Sequence, residues 1–171
     1  GRRVGLVDLG EEAGLLIGRH PDPGVAHAEH EVGSVAAGDE LALPNLGLET
    51  VHHVHADDVA QAFERALGHW GVAVGESFHV TSPAALTLRG YAGAVAAWFG
   101  QPERLAFLPW TAWRQTVTEA EAATTWEHIT HSPSHSIAKA ERLLEYRPRY
   151  SSLQAIHESV QWLIGDGQVR L

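Results

Sequence analysis

Two histidines and two aspartates stand within six residues at His53-Val54-His55-Ala56-Asp57-Asp58, and this is where chemistry is first sought in the chain. Imidazole titrates near neutral pH and passes a proton in either direction when a carboxylate orients it. His53, His55 and Asp57 are therefore the candidates for general acid/base catalysis. The same stretch has a plainer use. Val51 and Val54 lie in a β-prone run, and an aspartate after it can accept the free amides that open a helix. It thus also reads as a strand-to-helix junction, in which the aspartate caps the helix and the histidine sets the turn.

The chain carries twelve histidines in all, so metal binding is weighed next. His27 and His30 lie one helical turn apart, His53 and His55 alternate on one face of a strand, and His128, His131 and His135 are spaced loosely enough to converge. Each set can offer imidazoles to one ion. There is no cysteine to add a thiolate, and no carboxylate pattern completes a recognised ligand set, so no metal site is expected.

Of the six tryptophans, Trp98 and Trp162 fall on helical stripes and are expected in the core, as is the stripe Val59, Phe63, Ala66 and Leu67. Trp110 and Trp113 follow Pro109 and precede an irregular stretch, where flat aromatic faces suit a planar or apolar ligand. The loop from His20 to Gly24 follows a short apolar run, and open α/β sheets place ligands at such strand ends. His20, His27, Trp110 and Trp113 are accordingly the expected substrate-binding set.

The elements that must hold these residues are mostly helices. Residues 1–13 are a glycine-punctuated lead-in without an assignment, Gly14 to Gly18 reads as a short strand, and Val25 to Ala36 as a short helix. Strands are expected at Leu41 to Pro44, Glu49 to His55 and Ser77 to Val80. Helices are expected from Asp57, from Thr87 to the stop at Gly100, from Pro109 towards Trp126, from a Ser136 cap to Tyr146, and from Ser151, which with Gln154 has capping-box spacing. A loop is expected from Gly68 to Gly75. No repeat or low-complexity linker divides the chain, which reads as one α/β domain, 1–171, with few short strands and about five helices.

Composition narrows the partners. Acidic residues outnumber basic ones 21 to 12, giving a net charge of −9, which argues against a nucleic-acid groove or an anionic membrane surface. Disulfides and a cysteine nucleophile are excluded. No apolar run approaches the roughly 20 residues of a membrane span, and the first residues do not lead into a signal-peptide core. A soluble, intracellular, cytoplasmic protein acting on a small molecule is expected. The chain has no methionine, which points to processing, trimming or a piece of something longer.

His55-Ala56-Asp57-Asp58-Val59-Ala60 resembles the H-V-D-D-V-A signature of the NAD-dependent epimerase/dehydratase family, the extended short-chain dehydrogenase/reductases. Order and spacing add to it. Phe78-His79-Val80 and Thr87-Leu88-Arg89-Gly90-Tyr91 look like the family's F-x-V strand and the helix start after it. Ser136 to Pro148 is similar to S-x-x-K-A-x-R-x-L-G-Y-x-P, and Ser151 to Leu163 to the closing S-L-x-E-A-I-x-E-S-V-x-W-L helix. Gly14 to Gly24 would match the strand and G-P-G loop that end the nucleotide-binding sheet. The resemblance covers residues 14 to 165 and implies the C-terminal, substrate-binding half of a Rossmann-like fold, lacking the dinucleotide-binding half, with Trp110 and Trp113 in its substrate-covering segment and NAD(P) as cofactor of the full-length family.

The departures matter as much. A dinucleotide site needs a glycine-rich turn between strand and helix, so that pyrophosphate meets backbone amides. Gly5, Gly10, Gly14 and Gly18 have the wrong spacing for it, and Gly68, Gly71 and Gly75 follow a helix. No cofactor is expected on this chain alone. The family's Tyr-x-x-x-Lys pair is absent after Tyr91, Tyr146 and Tyr150, and Lys139 belongs to the tail helix. The arginine with which nucleotide-sugar members grip a diphosphate is missing from Val51-His52-His53, which favours a smaller or more apolar substrate. Three readings follow. The chain is the substrate-binding portion of such a protein, completed by an N-terminal cofactor half; or a shortened relative performing cofactor-independent isomerisation, cyclisation, elimination or hydrolysis; or a non-catalytic binding module whose exposed face docks a partner or a second copy.

Overall fold

In the computed structural model, residues 32–167 are described. The elements run α1 (helical over 32–37), β1 (Leu41–Pro44), β2 (Thr50–Val51), α2 (Ala56–Gly68), α3 (Trp70–Ala73), β3 (Leu86–Thr87), α4 (Leu88–Trp98), β4 (Leu105–Leu108), α5 (Trp110–Trp113), α6 (Glu119–His131), α7 (Ala138–Leu144) and α8 (Ser152–Gly165). Two small sheets link distant parts of this order. β1 pairs in parallel with β4, Leu41 opposite Leu105 and Pro44 opposite Leu108. β2 pairs antiparallel with β3, Thr50 opposite Thr87. Between β1 and β2 the chain reverses through Asn45 and Gly47, both at positive φ.

Two apolar clusters hold the helices. The first joins Val32 and Val35 of α1, Val95 and Ala96 of α4, and Ile156 and Val160 of α8. The second joins Ala62 of α2, Phe78, Val80, Ile137, Ala140 and Leu144 of α7, and Tyr146. The helices begin where their side chains can hold free amides. Thr87 Oγ1 accepts from the Gly90 N–H at 3.0 Å, and Thr118–Glu121 and Ser151–Gln154 form complete capping boxes on α6 and α8. α4 stops at Gly100, at φ 66°.

A buried carboxylate locks the second cluster. Asp58, in the first turn of α2, is 0% exposed. Its Oδ1 accepts from the Arg149 N–H at 2.9 Å and its Oδ2 from the Tyr150 N–H at 3.1 Å, with Arg149 Nε 3.7 Å away. Next to this joint, Tyr146 is fully buried and donates its hydroxyl to Thr81 O at 3.1 Å. Burial, and then the negative charge of Asp58, raise the Tyr146 phenol well above its ordinary value. Lys139 clips α7 to the segment after α3, with Nζ 2.7 Å from Glu76 Oε2 and 2.9 Å from Ser77 O. That ammonium holds the exposed Glu76 carboxyl below its usual range.

Several expectations are corrected. The strand expected over Glu49 to His55 is a ladder only at Thr50–Val51; on either side single backbone bonds, Leu88 N–H to Glu49 O and Ser82 N–H to His53 O, continue the contact. Ser77 to Val80 joins no sheet among the described residues, although Phe78 and Val80 are buried. The expected Gly68–Gly75 loop contains the single turn α3. The helix expected from Pro109 is broken into α5 and α6, since β-branched Thr116, Val117 and Thr118 disfavour continuation and Thr118 caps a new start. α7 begins one residue past Ile137, with Ser136 Oγ accepting from the Ala138 N–H. The four-residue helices α3 and α5, the latter from the division of the helix expected from Pro109, raise the number among the described residues above the five expected. On α2 the buried face carries Asp58 and Ala62, leaving Phe63 49% and Leu67 69% exposed, and Trp162 stands out on α8 at 62%. The expected strand at Gly14 to Gly18 and the loop to Gly24 lie outside the described residues.

Three outcomes follow, each read from urea denaturation. Replacing Asp58 by Ala strands two part-buried amides and destabilises by about 2 kcal/mol. Glu145 ends α7 at φ 55°, a left-handed conformation that strains a side chain, so Glu145→Gly stabilises by about 1 kcal/mol. Because the folded-state pKa of Tyr146 is raised, its contribution is full below the ordinary tyrosine range and is lost as pH rises through and above it; the midpoint falls in alkali, and less so in Tyr146→Phe.

Candidate functional site

The first cluster does not close completely. Between α1, β1, α4, α5 and α6 lies a cavity of about 190 Å³. Val32 and Val35 form one side, Leu41, Leu43 and Pro44 another, Leu88, Ala92 and Val95 of α4 a third, and Trp113 and Ile129 close it from α5 and α6. Val51, His53, Tyr91, Thr125 and His128 complete the lining.

The walls are set by local constraints. Parallel pairing of β1 with β4 fixes Leu41 and Leu43 over the cavity, and Trp113 is seated by its Nε1–H, which donates to Ala42 O of β1 at 2.8 Å. That bond takes the indole's one donor and leaves its face as an apolar wall. The C-terminal end of α6 is pinned to β2 by Ser132 Oγ, which accepts from the Thr50 N–H at 3.0 Å, while Thr50 Oγ1 donates to Pro133 O. This holds Thr125, His128 and Ile129 in place opposite α4.

The expected catalytic set is divided between two places. His53 lines the cavity. His55 instead caps α2, its Nδ1 accepting from the Asp57 N–H at 3.1 Å while Nε2 donates to Glu158 Oε2 at 3.0 Å. Its ring stacks on Tyr150 with centroids 3.8 Å apart. Both of its nitrogens are engaged. Asp57 is exposed and faces Arg149 Nη2 at 3.6 Å and the Tyr150 hydroxyl at 3.5 Å.

Of the expected substrate-binding residues, Trp113 is on the cavity wall. Trp110 sits one ring farther out, stacked on Trp113 at 5.4 Å and tilted against the exposed Trp126 at 4.9 Å. His20 and His27 lie outside the described residues. Tyr91, Thr125 and His128 are pocket residues that the sequence reading does not reach. A signal for them exists, since Tyr91 on α4 and Thr125 and His128 on α6 sit one turn from other lining residues of the same helix.

The histidines spread widely. His128 lines the cavity, His131 donates to Glu127 O within its own helix, and His135 stacks on His79 at 4.3 Å and His52 at 6.1 Å. His52 accepts from the His135 N–H at Nδ1 and donates from Nε2 to Ser82 O, which fixes it as one neutral tautomer. Among the described residues no group of three or more histidine, aspartate or glutamate side chains could hold a metal ion.

The described residues do not fit a dinucleotide. Gly90 and Gly93 follow a strand into α4, but the Gly90 N–H is taken by Thr87, and a Cβ on Gly93 would meet Glu103 Oε2 at 3.0 Å, an anionic neighbour unsuited to phosphate. The first turns of α2, α6 and α8 are capped by their own side chains, so their amides are not presented to a pyrophosphate. No helix among the described residues is long and apolar enough to cross a membrane.

No family model matches the sequence, and no curated protein is significantly similar to it. Solved structures are similar in fold. An epimerase from the methanogen Methanothermobacter thermautotrophicus matches with a TM-score of 0.57 at 18% identity, over 81% of this chain and 37% of that one. A dTDP-glucose 4,6-dehydratase from Bacillus anthracis, solved in complex with NAD, matches at 0.54 and 18%, over 81% and 39%. A UDP-glucuronic acid 4-epimerase from Bacillus cereus, also in complex with NAD, matches at 0.52 and 17%, over 79% and 39%. The chain therefore has the fold of part of such epimerases and dehydratases, and spans about two fifths of the length of the structures it matches.

The separation of His53 from His55 has a measurable consequence. His55→Ala removes a helix cap and lowers stability by about 1 kcal/mol, while the Trp113 indole N–H resonance, a reporter of the cavity wall, stays in place; His53→Ala moves that resonance.

Proposed function

We propose that this chain is the substrate-binding portion of an NAD-dependent epimerase/dehydratase-like protein, not redox-competent by itself. The observation that carries this reading is a walled cavity within a chain that has the fold of part of those enzymes. Motif order supports it as well. The strand-to-helix junction at His55 to Ala60, the Thr87 helix start and the tail from Ser136 stand in the family's order, and the first two are functional as caps.

In this reading the chain supplies the pocket for a small molecule, and a dinucleotide-binding half, on the same polypeptide or a partner, supplies the cofactor. NAD in the completed protein provides hydride transfer. This chain's own task is to bind, orient and exclude water, with His53 as the candidate acid or base that faces the cavity and His55 and Asp57 engaged in the fold. A cytoplasmic setting without nucleic-acid or membrane partners belongs to the same reading, and rests on the cysteine-free, acidic composition.

Fluorescence titration with NADH tests it. The 171-residue chain should show no saturable enhancement up to millimolar NADH. Saturable binding in the low micromolar range would place a cofactor site on this chain and overturn the proposal.

A further inference from the structure

We infer that the cavity takes an uncharged aromatic or alicyclic molecule of one or two rings, and that a nucleotide-diphosphate sugar is not its ligand. This rests on the substrate-binding reading above and names the substrate class for it.

Size is the first argument. A cavity of about 150 Å³ lined by aliphatic and aromatic side chains accommodates benzene, whereas sites for drug-sized ligands run from roughly 300 to 1,000 Å³. At about 190 Å³ this cavity matches one ring or a fused pair. UDP-glucuronic acid, present in one of the similar epimerase structures, carries a base, two sugar rings and a diphosphate, and is too large to be enclosed by it.

Chemistry is the second. The walls are branched aliphatic groups and the face of Trp113, whose N–H is committed to Ala42 O, so the surface offered is suited to dispersion and ring stacking. The polar side chains of the lining, His53, Tyr91, Thr125 and His128, are few beside the aliphatic ones. Among the described lining residues there is no lysine or arginine to neutralise a diphosphate.

Calorimetric titration of the full chain with 1-naphthol and, separately, with UDP decides the matter. The inference expects 1-naphthol to bind with a Kd on the order of 100 µM, no saturable heat from UDP, and at least a roughly tenfold weaker Kd for 1-naphthol in Ala92→Phe, which fills the cavity from α4. Should Ala92→Phe fail to fold, the Trp113 indole N–H resonance of the unaltered chain carries the test, because a ring bound against that face must shift it. UDP binding more tightly than 1-naphthol, and displacing it, would overturn the substrate class while leaving the substrate-binding reading standing. Binding of neither compound would overturn both. Naphthol binding that leaves the Trp113 resonance unmoved, or that a folded Ala92→Phe retains, would place the compound elsewhere and overturn the site.

Discussion

Asp58 is the constraint on which the arrangement depends. A carboxylate with no exposure is tolerated only where hydrogen bonds replace its water, and here both oxygens are met by backbone amides from the far end of the chain, Arg149 and Tyr150, with a guanidinium nearby. Those bonds tie the start of α2 to the segment that launches α8. From this joint, Tyr150 lies against His55, Tyr146 fills the second cluster, and α8 is directed towards the first. The polar stretch that looks most like a catalytic centre thus contains the main fastening of the fold.

The cavity arises where the two small sheets and four helices do not fill the space between them. β1 presents leucines, α4 presents alanine and valine at its centre, and α6 arrives with Thr125, His128 and Ile129. Small residues on α4 leave room where larger ones would have closed the core, and Trp113 holds one wall rigid through its bond to β1. Fold and site are therefore built by the same elements, with the fastening at one end and the opening at the other.

Much of this was legible in the residues. Thr87 and Ser151 announce helix starts through their own chemistry, and Gly100 a stop, because capping is local and depends on a few neighbours. What was not legible came from distance. Asp57 and Asp58 are the same residue type side by side, and only the packing of a segment 91 residues away decides that Asp58 is buried and Asp57 is not. The stripe through Phe63 and Leu67 has good helical spacing, yet α2 turns Ala62 inward because Ala140 of α7 permits close approach there. Trp113 was picked out from its type and setting, while His128 needed the third dimension, since its partners across the cavity belong to α1, β1 and α4.

The central claim is that a pocket-bearing portion works with a dinucleotide-binding half. Native mass spectrometry of the protein purified from its own cells addresses this most directly. The account predicts either a polypeptide well above 18.5 kDa or a stable complex with a second, NAD-carrying chain. A free 18.5 kDa monomer, active on its substrate without nicotinamide, would contradict it.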